Sequence, residues 1–386
     1  MHKREATRGI ARAIALGSLI LTGFAQTAGA AVPTVTVGVI VGATGPVSSI
    51  GIPVKNTIAL LPRMVAGAQL RYVILDDGGD PGVAVKAMRE LSEQDHADIL
   101  IGSTSVPTCV AVATVALETQ TPEIGIAPFP TNAYTFFTPQ PPELMLAGLI
   151  ADMKAKGVTT LAYLGFSDSL GDHNYQATVK LASAAGIRVI ADERYDRTDT
   201  TVTAQVLKIM SRHPDAVFVS AAGTPAALPQ LELARRDYRG HVYFLHGAIN
   251  AEFLRVGGNA LNGITASAGP FAIVDHLTDD NPVRSQALRF REAYDAKYGP
   301  GSAGTFAAYA WDAGVLLAAA LPTALAKASP GTVAFRVALR DALEQLHDVV
   351  GADGVYNMSA SNHNGLDARA RVLVTVRAGA FVPLQP

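Results

Sequence analysis

Residues 35–51, VTVGVIVGATGPVSSIG, decide how the rest of the chain is read. Val35 to Val41 is a continuous, mostly β-branched run, as a strand buried on both faces requires. It passes into a glycine-rich turn, Gly42 to Gly51, and then into helical spacing from Ile52 to Ala66, which Pro62 ends or kinks. Strand, tight turn and helix in that order open a β-α-β unit.

The unit recurs along the chain. Leu70 to Leu75 reads as a strand, and Asp80-Pro81 starts a helix to about Gln94, with Asp as N-cap and Pro in the first turn. A strand at Asp98 to Gly102, a helix after Ser105 and a strand at Glu123 to Ala127 complete a first series. After the Pro-rich stretch Phe137 to Pro142 a second series begins. Its strands are Thr160 to Leu164, Arg188 to Ala191, Ala216 to Ser220 and His241 to Leu245. Its helices are Asn174 to Ala185, Val202 to Ser211 and Leu228 to Asp237. A helical block, Pro282 to Leu346, and a strand-like tail, Arg371 to Val376, follow. The expected fold is α/β, with two doubly wound parallel-sheet lobes and a chain that crosses between them more than once.

Composition narrows the function classes. The chain has 386 residues, 49% of them hydrophobic, which is enough for two cores. A net charge of −2 argues against nucleic acid as a partner. One cysteine rules out an internal disulfide and thiolate zinc sites. Lys3, Arg4, Arg8 and Arg12, the apolar stretch Ala13 to Ala25 and the small-x-small Ala28-Gly29-Ala30 form the pattern of a cleaved signal peptide over residues 1–30. A periplasmic location is the resulting expectation. Tyr309 to Ala326 is apolar, but Asp312 and Pro322 make it a buried helix rather than a membrane span.

Catalytic signatures are missing. There is no G-x-S-x-G elbow, no phosphate loop and no H-E-x-x-H helix, so neither an enzyme nor a cofactor is expected. Asp76-Asp77-Gly-Gly-Asp80 leaves a hydrolase or metal reading open, but a helix cap at Asp80 and a polar turn are the favoured explanation. His241 and His246 point to opposite faces of a regular strand and do not share a metal. Ser361-Asn-His-Asn-Gly365 reads as a polar turn.

Two loops remain, both at carboxyl ends of strands, where doubly wound sheets bind ligands. One is Ser103-Thr104-Ser105-Val106-Pro107, which opens a helix whose N-terminus suits a carboxylate. The other is Pro128-Phe129-Pro130-Thr131-Asn132. Capping and turn formation are the competing uses of Ser105 and Thr131.

VTVGVIVGATGPVSSIG, DDGGDP, IGSTSVPT, APFPTN, DAVFVSAAGTPAALPQ, AYAWDAG and GVYNMSASNHNGLD, in this order and spacing, resemble the type I periplasmic solute-binding proteins of branched-chain amino-acid ABC importers. The resemblance implies two lobes joined by a three-segment hinge. Lobe 1 would comprise residues 31–145 and about 270–346, and lobe 2 about 146–269 and 347–386. It implies a small hydrophobic carboxylate as ligand, a branched-chain amino acid, with permease subunits in the inner membrane as partners, and a monomer. Ser105, Thr131 and the Phe129 backbone N–H would hold the ligand carboxylate, while Ile50 and Phe306 would line the apolar part. The family's ammonium-binding positions, two tyrosines and a glutamate, correspond here to Leu170, Gly223 or Thr224, and His246. That departure suggests a pocket without an ammonium grip and a plain aromatic or aliphatic acid as ligand, unless Asp168 or Asp275 supplies the anion.

Overall fold

The computed structural model describes residues 32–385; the expected signal peptide lies outside them. Chain order gives β1 (Thr34–Val41), α1 (Ser48–Ile58), β2 (Met64–Val65), β3 (Ala68–Asp76), α2 (Pro81–Arg89), β4 (Ile99–Ile101), α3 (Val106–Thr119), β5 (Glu123–Gly125) and β6 (Thr135–Phe137). These strands form one sheet in the order β2-β3-β1-β4-β5-β6, parallel except for β2. β1 lies inside it, with Val39 opposite Ile74 on one side and Ile101 on the other. Its valines are fully buried, and each such side chain contributes roughly 1.5–3 kcal/mol of transfer free energy.

The chain then builds the second lobe. It runs through α4 (Pro142–Ala155), β7 (Thr160–Phe166), α5 (Ser169–Ala184), β8 (Arg188–Tyr195), α6 (Thr203–Met210), β9 (Ala216–Ser220), α7 (Ala227–Arg235), β10 (His241–Phe244), α8 (Ala251–Gly257) and β11 (Thr265–Ala268). It returns for α9 (Arg284–Tyr298), α10 (Thr305–Leu325), α11 (Val333–Leu343), β12 (Val349–Val350) and β13 (Val355–Tyr356). Finally β14 (Val372–Arg377) and β15 (Ala380–Pro383) add antiparallel strands to the second sheet, whose order is β15-β14-β11-β10-β9-β7-β8. The expected two-lobe α/β architecture is therefore present, with three chain crossings between the sheets.

The tail needs a correction. Residues 347–386 were expected in lobe 2, but Tyr356, Met358, Leu366 and Ala370 bury themselves in the first core beside α10 and α11. Only β14 and β15 join the second sheet. Buried apolar side chains decide this placement, and they are scattered through a stretch too polar to read as core. α10 is long and apolar enough to cross a membrane by length and composition, yet most of it is buried in the first lobe. α5 starts five residues before its expected position, because Asp168 caps it by accepting from the N–H groups of Leu170 and Gly171.

Candidate functional site

The carboxyl ends of both sheets face a shared cavity with about 530 Å³ of empty space, its mouth included. Ile50, Ala127, Leu170, Leu245 and Phe306 give it a mainly apolar wall. Six polar side chains interrupt that wall: Thr104, Ser105, Asn174, Arg197, His246 and Tyr309. A small, mostly apolar cleft with a few convergent polar groups is the ordinary form of a small-molecule site.

The first-lobe end is built by the turn after β4. Gly102 there has φ +107°, and a Cβ would stand 2.0 Å from Ile40 O, so only glycine lets the turn pass β1. Ser105 is the N-cap of α3 and is 5% exposed. Its Oγ lies 2.7 Å from Thr108 Oγ1, which is 2.8 Å from Ser103 Oγ, and Ser103 donates to the carboxylate of Asp77. This buried chain fixes the hydroxyl of Ser105 beside the positive end of the helix. Burial raises the pKa of Asp77 above the ordinary carboxylate range, against the Ser103 and Gly79 hydrogen bonds that lower it. The acidic cluster is thereby accounted for: Asp80 caps α2, Asp76 accepts from the Ala43 and Gly78 N–H groups, and Asp77 orders the serine turn. No metal-ligating cluster occurs among the described residues.

The second-lobe end is set by α5, the turn after β8 and the turn after β10. Asn174 and His246 are 3% and 5% exposed. Asn174 Nδ2 donates to Ser220 Oγ at 2.9 Å, while its Oδ1 has no partner among the described residues. His246 stands edge-on to Tyr309, its Nδ1 is equally unpartnered, and burial lowers its pKa to about 4. It is a neutral imidazole at physiological pH. Arg197 lies over the ring of Phe166, 4.2 Å from its centroid, and its Nε donates to Asp168 at 2.7 Å. Of its two terminal nitrogens, Nη2 is buried without a partner among the described residues.

Tyr309 connects the cavity to the crossings. Its hydroxyl donates to Gln140 Oε1 at 2.8 Å, and Gln140 Nε2 donates to Asp353 Oδ2 at 3.1 Å. Asp353 Oδ1 accepts from the Phe271 N–H at 2.7 Å. Gln140 sits in the first crossing and Phe271 just past the second, so one carboxyl group joins the two. Gly269 makes this possible, since a Cβ there would lie 2.1 Å from Asp353 Oδ2. Asp312 accepts from the backbone of Ala352 and Asp353 and lies 2.9 Å from Tyr356 Oη. Burial pushes Asp312 up to about 7 and Asp353 to about 8. The polar turn around His363 serves the same region: Asn364 Nδ2 donates to Phe137 O and Pro139 O, holding the first crossing.

Of the residues expected in the site, Ile50, Ser105, Leu170, His246 and Phe306 come together in the cavity. Thr131 does not: it is exposed on its loop and outside the wall. Asn132 and Thr135 hold that loop by hydrogen bonds, leaving the threonine on its outer side. The Phe129 side chain is buried against Gly125 and Phe137, and Pro128 takes the place on the wall. Gly223 and Thr224 lie where the lobes touch, with the Thr224 N–H donating to Ser49 Oγ at 3.2 Å. Asp168 is committed to Arg197 and to its helix cap, and Asp275 pairs with Arg291 at an exposed position away from the cavity. Sequence reasoning missed Thr104, Asn174, Arg197 and Tyr309. Arg197 had a usable signal, a lone cation just after a strand end, whereas Tyr309 was hidden in an apolar helix.

Comparison with known proteins agrees with this geometry. Residues 34–380 match the family model described as periplasmic binding protein. An extracellular ligand-binding receptor from Rhodopseudomonas palustris HaA2 is 38% identical, with a TM-score of 0.89 over 91% of this chain and 100% of the receptor. A leucine-binding protein from Thermotoga maritima is 20% identical, with a TM-score of 0.79 over 91% of this chain and 98% of its own. A solute-binding protein from R. palustris, solved with benzoate, is also 20% identical, with a TM-score of 0.78 over 91% and 95%. At that identity the last two speak for the fold alone. Among curated proteins none matches the chain.

Proposed function

Because the chain belongs to the periplasmic binding protein family, we propose that it captures a hydrophobic carboxylate lacking an ammonium group and presents it to an ABC importer. Members of this family are solute-binding components of ABC transporters. Capture rather than catalysis, a periplasmic location and docking on inner-membrane permease subunits belong to the same proposal.

One observation carries the ligand assignment. The polar groups of the second-lobe wall are Asn174, Arg197 and His246, and no carboxylate stands among the described residues that line the cavity. A buried ammonium without an anionic partner costs several kcal/mol, and the nearby Asp168 carboxylate is already committed to Arg197. A carboxylate suits the opposite end, where Ser105 and the first turn of α3 offer a hydroxyl and helix N–H groups. The apolar wall between them takes a ring or branched chain. A ligand touching both lobes favours the closed arrangement by differential contact, which is how binding would be signalled to the permease.

A thermal-shift screen of the purified protein tests this. Benzoate, phenylacetate, 3-phenylpropanoate and short branched acids are compared with leucine, isoleucine, valine and phenylalanine. At 100 times its dissociation constant a ligand stabilises by about 2.7 kcal/mol, a resolvable shift. Shifts with the plain acids are expected; shifts with the amino acids alone would overturn the proposal.

A further inference from the structure

The second-lobe wall carries more hydrogen-bonding capacity than a plain hydrocarbon acid can use. Arg197 Nη2 is a buried donor, and Asn174 Oδ1 and His246 Nδ1 are buried atoms with nothing to bond among the described residues. All three residues line the one cavity. Buried polar groups are almost always paired, and an orphaned one costs about as much as a lost hydrogen bond. Thr104 on the opposite wall shows the contrast, because its Oγ1 already accepts from the Gly42 N–H at 3.0 Å. The unmet demand is thus concentrated on the side away from Ser105.

We infer that this wall is a hydroxyl-recognition site, and that the ligand is a carboxylic acid bearing a hydroxyl group at the end remote from its carboxylate. This rests on the carboxylate reading above and deepens it. A hydroxyl both accepts and donates. Its oxygen would accept from Arg197 Nη2, and its proton would go to Asn174 Oδ1, with His246 Nδ1 as the neighbouring alternative. A second carboxylate fits less well. Arg197 is already neutralised by Asp168 at 2.7 Å, so a further anion would face that carboxylate without a free cation. An ether or aldehyde would satisfy the arginine and leave the asparagine oxygen unmet. Arg197 is held for the task from two sides, by Asp168 and by the ring of Phe166. Its planar guanidinium keeps the free nitrogen fixed as a lysine ammonium would not.

Calorimetric titration with matched acids tests the assignment. The pairs are benzoate and 4-hydroxybenzoate, phenylacetate and 4-hydroxyphenylacetate, and 3-phenylpropanoate and 3-(4-hydroxyphenyl)propanoate, so that ligand length is varied together with the hydroxyl. In the pair of correct length the hydroxylated acid is expected to bind at least tenfold more tightly than its parent. The 4-formyl analogue of that acid should not reproduce the gain. In Arg197→Met the preference for the hydroxylated acid over its parent should fall below about twofold. If that variant does not fold, Arg197→Lys retains the charge, loses the fixed geometry and should show the same loss of preference. Parent acids that bind with no hydroxyl preference at any length, a preference unchanged in the arginine variants, or an equal gain from the formyl analogue would each overturn this inference alone. Failure of every acid to bind, with amino acids binding instead, would overturn the carboxylate reading and this inference with it.

Discussion

Ser49 Oγ accepts a hydrogen bond from the backbone N–H of Thr224 at 3.2 Å, joining α1 of the first lobe to the turn after β9 of the second. The bond lies beside Ile50 on the cavity wall, and Gly223 packs against both Ser49 and Ile50. It exists only while the lobes are together, so it belongs to the closed arrangement and not to either lobe alone. Ser49→Ala should weaken ligand affinity by about 1 kcal/mol, the worth of an ordinary hydrogen bond, and leave the melting temperature of the ligand-free protein unchanged. Calorimetry and a melting curve on the same sample check both halves.

Ser105→Ala removes the hydroxyl fixed beside the first turn of α3. Binding of a carboxylate should weaken by about 1.5–3 kcal/mol, the usual value for a hydrogen bond to a charged group. Thr131→Ala, on an exposed loop residue outside the cavity, should leave affinity unchanged. Equal losses in the two variants would return the threonine to the site.

The buried carboxyl groups at the crossings make stability depend on pH. Asp312 and Asp353 titrate at about 7 and about 8 in the folded protein, well above their ordinary 3.8. The folded state therefore holds protons that the unfolded chain releases. Their contribution is fully present below about pH 4 and is lost as pH rises toward 8. Asp353→Asn should flatten this slope, so the gap between wild type and variant in urea unfolding changes by on the order of 2 kcal/mol across the window. His246 has the opposite sign: its lowered pKa gives stability above about 6.5 that is lost as pH falls toward 4. The contribution of Asp353 is therefore read from the difference between variant and wild type, in which the His246 effect cancels.

Tyr309→Phe cuts the link between the cavity wall and Gln140 while keeping the ring against His246 and Phe306. Gln140 Oε1 is then left buried with no donor, a cost of about 1–3 kcal/mol in stability. Small-angle scattering should show a smaller ligand-induced compaction in this variant, because the crossing it anchors is less tightly held.

Much of this was legible in the residues. Continuous apolar runs such as 35–41 and 216–220 announced buried parallel strands, and the carboxyl-edge rule pointed to the turn at Ser105. Helix starts with a clear cap, such as Asp80-Pro81, were read correctly. Asp168 was not, because its capping role depends on Leu170 and Gly171 turning back toward it. β11 carried the residues TASA, of which only Thr265 favours a strand, and it is held by neighbours on both sides. Arg197 and Asn174 reach the cavity only because β7, β8 and β9 bring their loops to one edge. Tyr309 is one of fourteen buried positions on its helix, and nothing in the spacing set its hydroxyl apart.

The hydrogen bonds around the cavity divide its walls into two kinds. Tyr309 is bonded into the chain that runs through Gln140 and Asp353 to the Phe271 backbone. Arg197, Asn174 and Leu170 have no bond to that chain; their partners lie within the second lobe or on its surface turns. Under the proposed function, ligand preference would rest mainly on the second-lobe wall, while Tyr309 would tie the cavity to the crossings. A receptor built this way could be re-tuned to a new compound by exchanging the second-lobe wall, as a biosensor design would do, with the hydrogen-bonded link between the crossings left in place. Changing the tyrosine instead would alter what the protein reports as well as what it recognises.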